Sequence, residues 1–501
     1  MEDNYKQLSE QLGEMIDLQE AAALLAWDQE TYMPPGAVQD RSMQLATLNR
    51  IVHEKFTSDE IGELIEALKP EISSLDPDSD EACIVKHVRR EYDKQCKVPS
   101  DWVAEFSRAT SIAQAAWKKA REQSDFSLFE PDLTKVLDLR KQYAEYFSPY
   151  DHIYDPLLDD FEPGMKTAVV RQVFMDLRPK QVELVQAIVD SSNPVDDAIL
   201  HQPFDVDKQW DFGLEVATAF GFDFNRGRQD KSAHPFTTSF SRNDVRITTR
   251  LKPDFLSVGL FGTLHEAGHG LYEQGFSPKL TRTPVAGGAS LAIHESQSRM
   301  WENLVGRSRP FWVAFYPKLQ AYFPSQLGDV DLESFYRAIN KVERSLIRTE
   351  ADEATYNLHI MLRFELELAL IEGKLKVSDL PEVWNTKMEE YLGITPTTDA
   401  DGVLQDIHWS FGIFGYFSTY SLGNLVAAMF WEKILADIPD LENQFERGKF
   451  DVLLNWLQEK ILQHGAKFEP AELIKRVTGS ELTAEPYVRY LQSKFGEIYQ
   501  L

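Results

Sequence analysis

Helical periodicity is the feature of this sequence that most restricts its fold. Apolar residues recur at three- and four-residue steps through most of the chain, which places them on one face of an α-helix. The pattern predicts a mostly α protein, with long helices at about 79–95, 101–122, 131–147, 166–190, 331–372, 422–438 and 449–463.

One stretch departs from the helical pattern. Residues 234–250, HPFTTSFSRNDVRITTR, are rich in Thr, Phe, Val and Ile around a central Ser-Arg-Asn-Asp. Such a composition predicts a β-hairpin. Sheet edges bind extended peptides through main-chain hydrogen bonds, so a hairpin just before a histidine-containing helix is a candidate substrate surface.

The bulk composition indicates the number of domains and limits the classes of partner. No Gly/Ser-rich or Pro-rich linker divides the 501 residues, so we expect one domain spanning 1–501. The formal net charge of -28 repels phosphate groups, which argues against nucleic acid and anionic membranes as partners.

Cysteine usage and apolar runs predict the cellular compartment of the protein. Cys83 and Cys96 are too few for a disulfide framework, and the acidic N-terminal stretch lacks the apolar segment of a signal peptide. The longest apolar runs, such as 425–431, are far shorter than a membrane span. We therefore expect a soluble protein of the reducing cytoplasm.

Residues 261–275, FGTLHEAGHGLYEQG, contain a metal-ligand pattern. On a helix, His265 and His269 lie one turn apart on the same face and can bind one ion. Glu266 lies about 100° around the helix, beside that ion but not bound to it. H-E-x-x-H is typical of zinc hydrolases, in which the glutamate is the general base.

A catalytic zinc usually has a third protein ligand and one open position. The candidate is Glu295, in the helical pattern LAIHESQSRMWENL (291–304) that follows a glycine-containing turn. Glu295 is preferred to His294 because a carboxylate completes the His₂Glu set. We expect one zinc per chain, and another divalent ion such as cobalt can substitute.

Three other interpretations of this pattern stay open. The two histidines could be core residues, or the chain could be a helical interaction protein whose zinc is structural or absent. A structural site has four protein ligands, and only three can be named here. A di-iron bundle would need a second Glu-x-x-His motif besides Glu266 to His269, and none is found.

Further motifs along the chain resemble those of one family, the zinc-dependent carboxypeptidases of the carboxypeptidase Taq type. Five signatures occur in order, and an N-terminal stretch is similar as well: LAWDQETYMPPG (25–36), DVRIT (244–248), HEAGH (265–269), HESQ (294–297), IRTEAD (347–352) and GVLQDIHW (402–409).

The resemblance implies more than the residues themselves predict. It implies a two-lobed helical molecule similar to the angiotensin-converting-enzyme and neurolysin group, with a long substrate groove, zinc at its floor and a small sheet beside the active site. It also implies a homodimer that removes single residues from peptide C-termini with broad specificity. An endo-acting zinc oligopeptidase using the same site is the alternative.

The expected reaction is zinc-assisted hydrolysis with Glu266 as proton acceptor and donor. By resemblance, His408 and Tyr420 stabilise the oxyanion, and Tyr416 competes with Tyr420 for this role or contacts substrate. Each tyrosine could instead be a core residue, because buried tyrosines commonly pack their rings.

A carboxypeptidase must bind a free α-carboxylate, for which the planar fork of arginine is suited. Arg348 in IRTEAD is the first candidate and Arg246 on the hairpin the second. The structural alternative for Arg348 is an ion pair with Glu350 or Asp352.

Metal-binding histidines usually hydrogen-bond a second group through their other ring nitrogen. Thermolysin-like enzymes often have an Asp four residues after the glutamate ligand, but that position here is Arg299. Glu302 and Asp352 are the candidate partners.

Overall fold

The computed structural model describes residues 2–501, which are mostly helical. Within them, nine α-helices precede a small sheet: α1 Glu2–Thr31, α2 Val38–Phe56, α3 Asp59–Ile72, α4 Asp80–Cys96, α5 Ser100–Gln123, α6 Glu130–Glu145, α7 Asp155–Asp159, α8 Thr167–Val189 and α9 Val206–Phe220. Twelve follow it: α10 Leu256–Gly275, α11 Leu291–Arg299, α12 Arg309–Tyr322, α13 Pro324–Leu327, α14 Leu332–Ile339, α15 Tyr356–Ile371, α16 Leu380–Leu392, α17 Ser418–Asp437, α18 Leu441–Glu446, α19 Asp451–Lys460, α20 Pro470–Thr478 and α21 Glu485–Tyr499. The prediction of a mostly α protein is confirmed.

The sheet has three strands, β1 Gly227–Lys231, β2 Thr237–Ser241 and β3 Asp244–Thr249, in the order β1-β3-β2. Strands β2 and β3 are antiparallel and form the predicted hairpin. Strand β1 is parallel to β3 and was not predicted, because GRQDK lacks the β-branched and aromatic residues that favour strands.

The predicted helix at 331–372 is wrong as a single element. Helix α14 ends at Ile339, and α15 begins only at Tyr356. In between, the Asp352 carboxylate accepts hydrogen bonds from the backbone N–H groups of Ala354 and Glu343. Side chains that bond nearby backbone in this way stabilise turns in competition with the helix.

Two large apolar cores lie on either side of two shared helices. One core is formed mainly by α5, α6, α8, α15, α16 and α21, and the other by α9, α10, α12 and α18 to α20. Helix α17 contributes Leu425 to the first core and Val426 to the second, while α11 contributes Ala292 and Ile293 in the same way. These two cores are consistent with the expected two lobes.

Within residues 2–501, every helix falls short of the length or the apolar character that a membrane span requires.

Candidate active site

The predicted histidine helix is α10, and it places His265 and His269 one turn apart. Their Nε2 atoms lie 3.7 Å and 3.5 Å from Oε2 of Glu295 on α11. The three candidate ligand atoms all lie within 4.8 Å of one another. The structure therefore brings together the three residues that the sequence analysis selected.

Close packing between α11 and α17 determines where Glu295 lies. Helix α11 begins after Ser290, whose side chain accepts a hydrogen bond from the N–H of Ile293. On the opposite helix, a Cβ at Gly423 would lie 2.6 Å from both Cβ and Cγ of Glu295. Only glycine at position 423 leaves room for the glutamate at this separation.

Glu302 contacts the first histidine. Its Oε2 lies 2.8 Å from Nδ1 of His265, and Arg299 donates hydrogen bonds to both Glu302 and Glu295. Burial alone would raise the pKa of Glu302, but Arg299 and His265 lower it to about 2. Asp352, the other candidate partner, instead binds the backbone of its own turn.

The second histidine is held by a residue to which the sequence analysis gave no role. Nδ1 of His269 lies 2.5 Å from Nδ1 of His294, and Nε2 of His294 lies 2.7 Å from Oε1 of Glu273. Ser239 on β2 donates to the same glutamate at 2.6 Å. Glu273 could have been noticed in the sequence, since it lies one turn after His269 on the same face of α10.

Glu266 is buried next to the edge strand β2. Thr237 donates to its Oε2 at 2.7 Å and lies 3.0 Å from its backbone carbonyl oxygen. Burial raises the pKa of Glu266 above its ordinary value, which is the direction that a general base working near neutral pH needs.

The donor set suits a transition-metal dication such as zinc. Two imidazole nitrogens and one carboxylate oxygen converge, which matches the three protein ligands of catalytic zinc sites. The other ring nitrogens of His265 and His269 each have a partner that fixes the ring orientation.

His408 lies in the 3-10 turn His408–Phe411. Its ring centroid is 4.5 Å from that of Phe417, and its Nδ1 is 3.9 Å from Oδ1 of Asp406. Burial lowers the pKa of His408 to about 4, so the imidazole is neutral at neutral pH and can donate one N–H.

The structure separates the two candidate tyrosines by their surroundings. The ring centroid of Tyr416 lies 5.4 Å from that of His408 and 5.3 Å from that of Tyr420. Burial raises the pKa of Tyr416, and the Glu295 carboxylate adds to that increase. Tyr420 instead faces Arg348 and Tyr356.

Arg348 is buried and ion-paired, but not with either residue considered from the sequence. Its Nε and Nη2 donate to Oδ1 of Asp406 at 3.0 Å and 2.8 Å. Arg363 donates to the other oxygen of Asp406 at 2.6 Å. Glu350 and Asp352 were thus the wrong partners, and Asp406, inside GVLQDIHW, was missed.

Arg246 faces the N-terminal helix. It pairs with Asp244 at 3.0 Å, and its guanidinium lies 4.3 Å from the ring centroid of Trp27 and 4.8 Å from that of Phe240. These contacts join β3 to α1, and they engage Arg246 in packing rather than leaving its fork open.

A His₂Glu cluster, a buried glutamate beside it and an edge strand against that glutamate define a metal-dependent peptidase. The model of the family described as Carboxypeptidase Taq (M32) metallopeptidase matches residues 7–495. The chain belongs to this family and is a metallocarboxypeptidase.

Known proteins of similar sequence and structure support this family assignment. The chain is 44% identical to Thermostable carboxypeptidase 1 of Thermus thermophilus and 40% identical to Carboxypeptidase 1 of Bacillus subtilis, over 99% of each chain. The crystal structure of an M32 carboxypeptidase from Deinococcus radiodurans superposes with a TM-score of 0.97 over 100% of both chains at 43% identity.

Proposed function

We propose that the enzyme removes single residues from peptide C-termini by means of one zinc ion held by His265, His269 and Glu295. The observation that carries this proposal is the convergence of the three ligand atoms within 4.8 Å. A divalent ion held there supplies Lewis acidity that activates water near neutral pH.

Glu266 is the residue that moves the proton. Its carboxylate accepts the proton of the attacking water and then delivers it to the leaving amine. Burial, which raises its pKa, makes both the acceptance and the release possible near neutral pH. The hydrogen bond from Thr237 engages Oε2, which leaves Oε1 as the oxygen that would take the proton.

Tyr416 and His408 donate to the oxygen that becomes negatively charged during attack. Preset donors at this position stabilise the transition state more than the ground state. Tyr416 is the better candidate than Tyr420, because its ring lies 5.4 Å from that of His408 and it is near enough to Glu295 for that carboxylate to raise its pKa. Tyr420 packs edge-on against Tyr416, with ring centroids 5.3 Å apart, and so helps to orient its ring.

Arg348 binds the substrate α-carboxylate. Two guanidinium groups, those of Arg348 and Arg363, share the single carboxylate of Asp406, so this cluster carries one uncompensated positive charge. Arg348 has five N–H bonds. Two are used on Asp406 and one on Tyr356, which leaves two for a substrate anion.

One matched pair of substrates tests this recognition. The same peptide is supplied with a free C-terminal acid or as its amide, and mass spectrometry follows the products. The expected result is a ladder shortened one residue at a time from the free acid, with little cleavage of the amide. Internal cleavage of both peptides at equal rates would instead show an endo-acting oligopeptidase.

Two variants locate the carboxylate site. Arg348→Gln should lower kcat/KM for the free acid by about 100-fold while leaving the slow amide reaction unchanged, because it removes a charge-assisted bond. Arg246→Gln is the matched comparison, and it should alter the two reactions equally. If Arg246→Gln instead slowed only the free-acid reaction and Arg348→Gln slowed both reactions equally, Arg246 would be the residue that binds the carboxylate.

The identity of the ion and the assembly are tested separately. Metal analysis should find one zinc per chain, and chelation should abolish activity that zinc or cobalt restores. Sedimentation should show a homodimer. A cytoplasmic location is supported by Cys83 and Cys96 being free thiols, and fractionation of cells tests it.

A further inference from the structure

Glu367 is a fully buried carboxylate on α15 that the steps above do not use. Three neutral donors reach it. The indole Nε1 of Trp409 donates to its Oε1 at 2.8 Å, and the N–H of Gly415 donates to its Oε2 at 2.9 Å. The hydroxyl of Tyr154 also donates to Oε2. A buried carboxylate held by neutral donors is costly, so its presence calls for a specific role.

Two of these donors lie next to the proposed oxyanion residues, one at each end of the segment 408–416. Trp409 directly follows His408, and Gly415 directly precedes Tyr416. The two oxygens of one carboxylate therefore tie both ends of the 408–416 segment to α15. Through these bonds, the position of His408 is linked to that of Tyr416.

The backbone at Gly415 restricts movement of the 408–416 segment relative to Glu367. Gly415 has φ +95, a conformation that favours glycine, and a Cβ there would lie 2.3 Å from the carbonyl oxygen of Leu157. The segment is therefore pressed against 157–158 while its N–H points to Glu367. A shift of the segment would break either this contact or the hydrogen bond.

We propose that Glu367 is a positioning residue for hydrolysis, holding His408 and Tyr416 at a fixed separation. This inference rests on the oxyanion roles proposed above. Donors aimed at a developing charge act only when they are preset, and displacement by about 1 Å can cost on the order of 100-fold in rate. Glu367 touches neither substrate nor metal and acts through the segment it anchors.

Glu367→Gln is the direct test. The amide keeps the shape of the side chain but puts an NH₂ group against either the Trp409 or the Gly415 donor. We expect kcat to fall by about 10- to 100-fold, with KM changed less than about threefold and metal content unchanged, because only transition-state contacts are displaced.

Tyr154→Phe is the matched control. It removes a donor from the same carboxylate, but Tyr154 lies outside the 408–416 segment. Its melting temperature should fall, whereas kcat should stay within about twofold of the wild type. Should this variant lose kcat as strongly as Glu367→Gln, the effect is general loosening and the positioning role is overturned.

Trp409→Phe provides a second test should Glu367→Gln not fold. It removes only the donor to Oε1, and kcat should fall by about 10-fold at unchanged KM. Retention of full kcat by the folded variants overturns the inference. His408→Ala and Tyr416→Phe distinguish failure of the oxyanion roles from failure of the positioning role. If both variants keep full kcat, the oxyanion roles are wrong, and the role assigned to Glu367 is wrong with them.

Discussion

His294 lies between His269 and Glu273, with its Nδ1 2.5 Å from Nδ1 of His269 and its Nε2 2.7 Å from the glutamate. One of the two facing Nδ1 atoms must donate and the other accept. The arrangement is satisfied when His269 carries its proton on Nδ1, leaving Nε2 free for the ion, while His294 accepts there and donates to Glu273.

Replacing His294 by Phe should therefore weaken metal binding. The aromatic ring remains, but His269 loses the acceptor that fixes its tautomer. We expect the dissociation constant for zinc to rise by about 10- to 100-fold, measured by competition with a chromogenic chelator. His53→Ala, at an exposed position, is the control. An unchanged dissociation constant in the Phe variant would contradict the role.

Glu266→Gln should abolish turnover without releasing the ion. The amide cannot accept the water proton, so kcat should fall by at least about 100-fold. Thr237→Val, which removes only the hydrogen bond to Glu266, should cost far less. Steady-state kinetics and metal analysis of the same preparations check both, and normal turnover by the Gln variant would remove the proposed mechanism.

Gly423→Ala should displace Glu295, because the new Cβ would lie 2.6 Å from the glutamate Cβ and Cγ. Reduced zinc affinity and lower activity are expected. Gly262→Ala on α10 is the control, since a Cβ there meets nothing within 4 Å. That variant should gain stability, up to about 1 kcal/mol. Equal effects of the two substitutions on zinc affinity would argue against this packing constraint.

Asp406→Asn should lower the free energy of unfolding by about 3–5 kcal/mol at pH 7, since it leaves two buried guanidinium groups without a counter-charge. Arg348 and Arg363 outweigh the effect of burial and hold the pKa of Asp406 well below its ordinary value. The wild-type stabilisation is therefore present above about pH 4 and is lost as the pH falls further.

Urea unfolding from pH 7 to pH 3 measures this dependence. The wild type should lose stability steeply below about pH 4, and the Asn variant should show a shallower loss because its side chain does not titrate. Parallel curves for the two proteins would show that Asp406 does not contribute to the acid sensitivity.

Features that depend on local spacing could be predicted from the sequence. The positions of His265, Glu266 and His269 around one helix follow from 3.6 residues per turn, and α10 has the expected register. The hairpin at 237–249 follows equally from its residue types. Even Glu295, on another helix, was found from ligand chemistry and its motif.

Contacts between distant segments could not be predicted in this way. Strand β1 exists because β3 supplies its hydrogen-bond partners, although its own residues do not favour a strand. Arg348 pairs with Asp406 at a sequence separation of 58 residues, not with its neighbours Glu350 or Asp352. No local pattern distinguishes these outcomes.

The sequence alone thus determined a mostly helical chain, a histidine pair with its glutamate and a chemically suitable third ligand. The tertiary structure decided that Glu302 contacts His265, that His294 contacts His269, and that Tyr416 lies beside His408 while Tyr420 faces Arg348. The physical reason is that periodicity fixes a side chain's direction about its own helix axis. A hydrogen bond between helices also requires their relative position, which the packing of the two cores sets.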